Sequence, residues 1–427
     1  MLPKWQNLKT GESGEMVTAL SIIREAEHSL QMVFNELEEI AYANQVRVIE
    51  AFHKHRVREY YFYPSTGYGY GDSGRDALED IFADIFGAED ALVRSQVVSG
   101  THAISACLFA LLRPGDELIS LTGSPYDTLC RIIGHEEKSP GTLIDKGIKY
   151  SEVDLDERGK PDLTAIAAAI KDTTRMVLIQ RSRGYKTRPP VDLETIAVIT
   201  KLVKARNPAT IVMLDNCYGE FTAVQEPGHY GVDIIAGSLI KNPGGGLIPS
   251  GGYIAGNKDL IEQLAFHLTA PGLGKELGAS LLDKRIMYQG LFLAPHTVLQ
   301  ALKGAVLLAY VFEEHGYEVF PRWNEKRSDI VQAVKLRDAA EVLRFCQEVQ
   351  NASPVDSDVT LEYGELPAYR DKIVMAAGTF VQGSSIELSC DAPLRSPHCV
   401  FLQGGLSYEH CRFLLQRLLD NFLLANA

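Results

Sequence analysis

Cysteine is sparse and unpatterned in this 427-residue chain. The seven, at positions 107, 130, 217, 346, 390, 399 and 411, include no CxxC pair. Neither a zinc site nor a disulfide-stapled secreted scaffold is therefore expected, and a reducing cytoplasm is the expected setting. Positive charge is also short. Lys and Arg number 42 against 55 Asp and Glu, a net charge of −13, which argues against a nucleic-acid surface. Long apolar runs are missing, since stretches such as 106–112 fall far below the roughly 20 residues that cross a bilayer; no membrane association is expected. Residues 1–14 lack the apolar core of a signal peptide, so no targeting segment is expected. No His/Cys/carboxylate cluster has metal-ligand spacing, since His53 and His55 sit on a basic helix end and His102 beside a helix start, and no metal is expected. What remains, 46% hydrophobic and 23% charged residues without repeats or low-complexity tracts, is the composition of a globular protein able to bury a large core.

Over residues 16–58 apolar positions recur at helical spacing, including Leu20, Ile23, Leu30, Val33, Leu37 and Ile40, which predicts a helical arm. Residues 60–74 carry five tyrosines and four glycines, too aromatic for a linker and too broken for a helix, so an ordered loop is expected. From residue 76 helices and strands alternate. Helices are expected at 76–86, 101–112, 163–170 and 193–205, and strands at 91–93, 117–121, 176–179, 210–214 and 233–239. Such alternation of buried runs with helices implies mostly parallel strands covered on both faces, an α/β architecture. A long apolar helix at 299–314 leads out of this layer. Beyond it, strands at 329–334, 374–380 and 385–388, with helices at 339–350 and 407–424, predict a smaller α+β C-terminal domain. The expected domains are an arm (1–60), a large domain (61–298) and a small one (299–427).

In an open parallel sheet, ligands bind where strands end and helices begin. Three such places carry chemistry. In Val97-Val-Ser-Gly-Thr-His-Ala103, Ser99, Gly100 and Thr101 open a helix whose free amides and dipole suit an anion, although Ser and Gly also cap ordinary helices. Ile211-Val-Met-Leu-Asp-Asn-Cys-Tyr-Gly219 is a buried run ending in Asp215, which could hold a cationic ring nitrogen or simply cap a turn. The strand around Ser238 delivers Lys241 into a glycine-rich turn. A lysine in an apolar cleft is expected to have a lowered pKa and to form a Schiff base with an aldehyde; one reaching past the strand into solvent would do neither. Together an anion-binding helix start, a strand-terminal acid and a strand-terminal lysine are what pyridoxal 5′-phosphate requires: phosphate on the helix, ring nitrogen on Asp215 and aldehyde carbon on Lys241. Tyr126, in Gly123-Ser-Pro-Tyr-Asp127, fits as a ring stacked on that cofactor.

The segments Ser99-Gly-Thr-His-Ala103, Asp215-Asn216, Ser238-Leu-Ile-Lys241 and Tyr68-Gly-Tyr70 resemble the fold-type-I pyridoxal phosphate enzymes of cysteine and methionine metabolism. Three longer motifs, Gln180-Arg-Ser-Arg-Gly-Tyr185, Gly244-Gly-Gly-Leu-Ile-Pro-Ser-Gly-Gly252 and Pro393-Leu-Arg-Ser-Pro397 with Leu402-Gln-Gly-Gly-Leu406, are similar to the methionine gamma-lyase-like branch, often labelled aluminium resistance proteins. The resemblance implies that Lys241 is the Schiff-base lysine, Asp215 the pyridinium partner and Tyr126 the stacking ring and general acid. It implies that Gly100, Thr101 and Ser238 bind phosphate, completed by Tyr68 or Tyr70 of a neighbouring subunit in a homodimer or homotetramer. No arginine aligns at the matching inter-subunit place, and Ile240 stands where those relatives carry a hydroxyl residue before the lysine. Arg395 is the candidate for the substrate carboxylate, because a guanidinium grips a carboxylate with two parallel bonds; Arg183, Asn216 and Arg181 are lesser candidates. The implied activity is elimination from a sulfur-containing amino acid, of the methionine gamma-lyase or cystathionine lyase type. An aminotransferase, or a cofactor-binding protein with a regulatory or stress role, remains open, because the cofactor alone does not choose the bond that breaks.

Overall fold

The computed structural model describes residues 18–135, 139–366 and 369–424; the expected lack of a targeting segment at 1–14 concerns residues outside that set. The arm is two helices, α1 (Ala19–Ser29) and α2 (Gln31–Lys54). The large domain follows with α3 (Ser73–Phe86), β1 (Asp90–Arg94), α4 (Gly100–Leu111), β2 (Glu117–Ser120), α5 (Asp127–Ile133), β3 (Lys149–Glu152), α6 (Leu163–Ala169), β4 (Thr174–Gln180), α7 (Leu193–Arg206), β5 (Ile211–Asp215), β6 (Ile234–Ser238), β7 (Gly252–Gly256) and α8 (Lys258–Leu268). Helix α9 (Lys284–Glu314) leads to β8 (Glu318–Phe320), β9 (Gln332–Lys335), α10 (Ala339–Ala352), β10 (Ile373–Ala376), β11 (Ser389–Pro393), β12 (Cys399–Gln403) and α11 (Tyr408–Leu418).

Seven strands form the large sheet in the order β1-β7-β6-β5-β4-β2-β3. The run from β3 to β6 is parallel, while β7 is antiparallel to both β6 and β1. Strands β5 and β6 are buried at every position, as the apolar runs require when helices cover both faces. Five antiparallel strands form the second sheet, β10-β11-β12-β9-β8. The expected α/β class with a smaller C-terminal domain is what is found. Strands β3, β7, β8 and β12 and helices α5 and α8 escaped the pattern reading. Strand β7 reads Gly-Tyr-Ile-Ala-Gly, five residues bracketed by the punctuation that normally marks loops. The strand expected at 385–388 is not formed; β11 takes 389–393 instead, where the buried Asp391 breaks the apolar pattern.

Helix α9 starts fifteen residues before the expected 299 and carries Pro295 in its interior, where a break is usual. The 298/299 boundary therefore cuts a continuous helix. Contrary to the reading from apolar run length, α9 is long and apolar enough to cross a membrane, alone among the described residues, yet 67% of its most apolar window is buried inside the protein. Phe312 shows why: its ring lies 5.4 Å from Tyr317, 5.6 Å from Phe345 and 6.2 Å from Phe422. Phe312→Ala is expected to cost about 3–5 kcal/mol by transfer and cavity terms, read as a lower denaturant midpoint at unchanged slope.

The tyrosine-rich loop is ordered, and Asp72 anchors it. Its carboxylate accepts from the Arg75 amide at 3.0 Å, from Lys284 Nζ at 2.8 and 3.0 Å, and from the Ser65 hydroxyl. Burial alone would raise that carboxyl, but the Lys284 and Ser65 bonds hold it down at about 2.

Candidate active site

At the carboxyl edge of the sheet β4 and β5 end level, with Gln180 beside Asp215, and β6 runs past Ala236, the neighbour of Asp215, to Ser238. A cavity of about 220 Å³ opens there. Ser99, Gly100 and Thr101 form one wall, Tyr126 and Arg183 others, and Asp215, Ser238, Lys241 and Arg395 close it. Residues more than a hundred positions apart thus meet where the topology puts ligands.

The helix wall depends on one small residue. A Cβ at Gly100 would sit 3.0 Å from Ser238 Cβ and 3.1 Å from Cys217 Sγ, so glycine lets α4 begin against the end of β6. Ser99 caps α4 by accepting from the His102 amide at 3.1 Å. The Gly100 and Thr101 amides have no carbonyl one turn back to receive them, which, with the helix dipole, makes a cradle for an oxyanion. Thr101 Oγ1 lies 3.3 Å from the Tyr126 hydroxyl.

Lys241 follows β6 and is held in place by the turn after it, where Asn242 Nδ2 donates to the Glu220 carbonyl at 2.9 Å. Its Nζ lies 3.9 Å from the centre of the Tyr218 ring. Tyr218 itself has φ 71°, a left-handed conformation that is costly for a tyrosine and typical of functional positions. The apolar-cleft expectation of a lowered lysine pKa is reversed. Burial does pull the Lys241 amine down, but Cys217, Tyr218, Asp215 and Tyr126 around it outweigh burial and hold the ammonium well above the ordinary lysine value. Asp215 is 5% exposed and accepts from the Cys217 amide at 3.1 Å; burial pushes its carboxyl up, with Lys241 opposing. It is a carboxylate in want of a cation. Anion cradle, buried acid, amine and aromatic ring are together a donor set suited to a phosphorylated pyridine aldehyde.

Arg395 reaches the cavity from the end of β11. Its Nη1 donates to Asp371 at 3.1 Å and its Nη2 to the Tyr185 carbonyl at 3.0 Å. Arg183 is buried; its Nε lies 3.5 Å from Asp329, and its Nη1 and Nη2 make no hydrogen bond. Asn216 and Arg181 do not line the cavity. They lie behind the strand ends, where Arg181 Nη1 donates to Asn216 Oδ1 at 2.7 Å and Asn216 Nδ2 donates to Glu226 at 3.4 Å and to the Tyr253 hydroxyl at 3.2 Å. Direct substrate contact by either is replaced by a supporting role, because the side chain after a strand-terminal residue points to the opposite face. Tyr68 and Tyr70 are 71% and 63% exposed, with rings 5.7 Å apart, and line no part of this chain's cavity.

Two buried polar residues near the site were not among its expected residues. Glu220 accepts from the Tyr253 hydroxyl at 2.9 Å, and burial pushes its carboxyl up to about 8. A raised native pKa means that the folded protein keeps a proton the unfolded chain loses near 4.5. The stabilisation is complete below that value and fades as pH climbs through about 8. Glu220→Gln, which keeps an acceptor without titrating, is expected to flatten the fall in melting temperature between pH 5 and 9, as thermal unfolding across that range would register. The second, Tyr185, donates to Asp391 at 2.9 Å and joins the cavity wall to the second sheet.

The profile of the family described as methionine gamma-lyase matches residues 19–423. YnbB of Bacillus subtilis is 48% identical over 400 residues, spanning 93% of this chain and 95% of that protein. The crystal structure of a carbon-sulfur lyase involved in aluminium resistance from Clostridium novyi NT superposes with a TM-score of 0.90 at 46% identity, covering 94% of this chain and 95% of that one. L-methionine gamma-lyase of Pseudomonas putida is 27% identical over 247 residues, 56% of this chain and 50% of the enzyme.

Proposed function

The chain belongs to the methionine gamma-lyase family of carbon–sulfur lyases, and from that premise we propose that it is a pyridoxal 5′-phosphate-dependent lyase that eliminates the sulfur group of an amino acid. The observation that carries the reading is the meeting of the α4 start, Asp215 and Lys241 around one cavity. Lys241 would hold the aldehyde carbon, Asp215 the ring nitrogen and Tyr126 the ring face. The amides of Gly100 and Thr101, with Ser238, would hold the phosphate. What the cofactor supplies when bound is an electron-withdrawing ring that acidifies the substrate's Cα–H.

The chain's own groups do the rest. With the substrate's amino group in its place on the aldehyde carbon, the Lys241 amine would be free to take the Cα proton, and Asp215, engaged with the ring nitrogen, would favour the charged form of that amine less strongly. Tyr126 keeps its phenolic proton, since burial and then Asp215 raise its pKa, and can pass that proton to the departing sulfur. Arg395, its guanidinium oriented by Asp371 and the Tyr185 carbonyl, would grip the substrate carboxylate, with Arg183 a second donor whose Nη groups are uncommitted. Tyr68 and Tyr70, exposed on this chain, would complete a partner's phosphate site in a dimer or tetramer.

Incubating the cofactor-loaded protein with methionine, homocysteine, cystathionine and cysteine, with keto acid and thiol release followed together, tests the reading. Equal yields of the two products are expected. Amino-group transfer to an added keto acid without thiol release would assign an aminotransferase instead.

A further inference from the structure

The lining of the candidate active site carries Lys186, Lys241, Arg183 and Arg395 against Asp127 and Asp215, and only Lys186 of the four has no place in the reading above. Besides Lys241 and Arg395, Lys186 lines the cavity. Lys186 also lines an adjoining cavity of about 340 Å³, and the two share Pro125, Asp127, Tyr185 and Arg395. Its Nζ donates to the Ser124 carbonyl at 2.5 Å, and no carboxylate of the described residues lies within ion-pair distance of it. Tied to the turn that carries Tyr126, it stands on the side of the proposed stacking ring and leaving group. Burial, then the neighbouring Arg188, depresses the Lys186 ammonium, with Cys130 and Glu152 opposing and Arg395 adding to the depression. Half-buried and without an ion-pair partner among the described residues, the Lys186 ammonium is placed to receive one added anion.

We propose that Lys186 forms a subsite for an anionic group at the far end of the substrate, so that the preferred sulfur amino acids carry a carboxylate or similar anion on the departing thiol. The inference rests on the lyase reading and narrows its substrate class. The substrate's own carboxylate would engage Arg395 or Arg183, and the second anion would extend into the adjoining cavity beside Lys186. In the reaction the Cβ–S bond breaks, the sulfur leaves with the electron pair and takes a proton to become a thiol. The remaining fragment and one water give pyruvate and ammonia. Lys186 is a specificity residue in this scheme, since the distal anion, and not the reacting carbon, is what it touches.

The test compares S-carboxymethyl-L-cysteine with its neutral isostere S-carbamoylmethyl-L-cysteine on the cofactor-loaded protein. Expected is a kcat/KM about 10- to 100-fold higher for the anion, the range of one charge-assisted contact. Lys186→Met is expected to bring that ratio near one, and Lys186→Arg to restore most of it. Because each variant is scored by a ratio between two substrates, partial loss of folded protein cancels. Binding of L-2-aminoadipate against homoglutamine, which have no C–S bond, provides a readout that needs no lyase chemistry. A wild-type ratio near one in both measurements, or a preference that survives in Lys186→Met, overturns the subsite. Failure to cleave any thioether overturns the lyase reading, whereas preferential binding of aminoadipate that vanishes in Lys186→Met upholds the subsite on its own.

Discussion

Lys241→Ala is expected to abolish thiol release, by at least about a thousandfold in kcat, and to leave the cofactor-treated protein without the visible absorbance of a lysine-bound cofactor. The size follows from two losses that fall on one atom. Nζ is the covalent anchor for the aldehyde carbon and the group placed to move the Cα proton, and removing a positioned acid–base group alone costs about 10²–10⁴-fold. A third effect separates this from misfolding. Lys241 opposes the burial-driven rise of Asp215, so without it Asp215 is expected to titrate at still higher pH and to carry a proton over a wider range. The variant should therefore remain folded, with a buried neutral acid at position 215, and should bind pyridoxal phosphate weakly and reversibly. Equilibrium dialysis with absorbance spectroscopy measures both properties. Retention of the visible band in Lys241→Ala would move the anchor to another amine, and Lys186, the other lysine of the cavity, would be the first to replace.

Much of this site was legible because its parts are local. A small residue opening a helix, an acid ending an apolar run and a lysine after the next run each show in a window of a few residues. Their order along the chain reproduces the order of β5 and β6 in the sheet. What was not legible depends on non-local geometry. The left-handed Tyr218 looks like any tyrosine in sequence, and its place over Lys241 exists only once β5 and β6 lie side by side. Asn216 and Arg181 were drawn toward the substrate because they flank visible candidates. The pleat turns them to the far face, where they join Glu226 and Tyr253. Gly237 records the same face in negative: a Cβ there would lie 2.4 Å from the Tyr253 ring and 2.7 Å from Glu220, so the strand carrying Ser238 needs glycine to make room for the network. In the fold, short glycine-bracketed strands such as β7 and polar ones such as β11 were missed for a related reason. Their burial comes from neighbours far away in sequence, not from their own apolar period.

Asp215→Asn is the other change with a large expected effect, and its signature differs from that of the lysine. Asparagine is nearly isosteric and can still accept from the Cys217 amide, so the strand end should keep its shape. What disappears is the negative charge that keeps a ring nitrogen protonated, and with it the electron sink on which Cα acidity depends. A fall of about a hundred- to a thousandfold in kcat is expected, with a smaller change in KM, since charge complementary to a reacting state matters more than ground-state contact. Cofactor should still attach through Lys241, with its absorbance displaced from that of the wild type. The apoprotein is expected to respond in the opposite sense. Burial raises the Asp215 carboxyl, so the native state holds a proton that the unfolded chain has released, and stability drains away as pH rises through the native value. Asparagine has nothing to lose there, and Asp215→Asn apoprotein should melt higher than wild type at pH 8 and match it more closely at pH 5. Asp215→Glu keeps the charge but lengthens the reach, and is expected to retain more activity than Asn while gaining none of that alkaline stability. An asparagine variant with wild-type kcat would remove Asp215 from the ring nitrogen and leave it as the counter-charge of Lys241 alone.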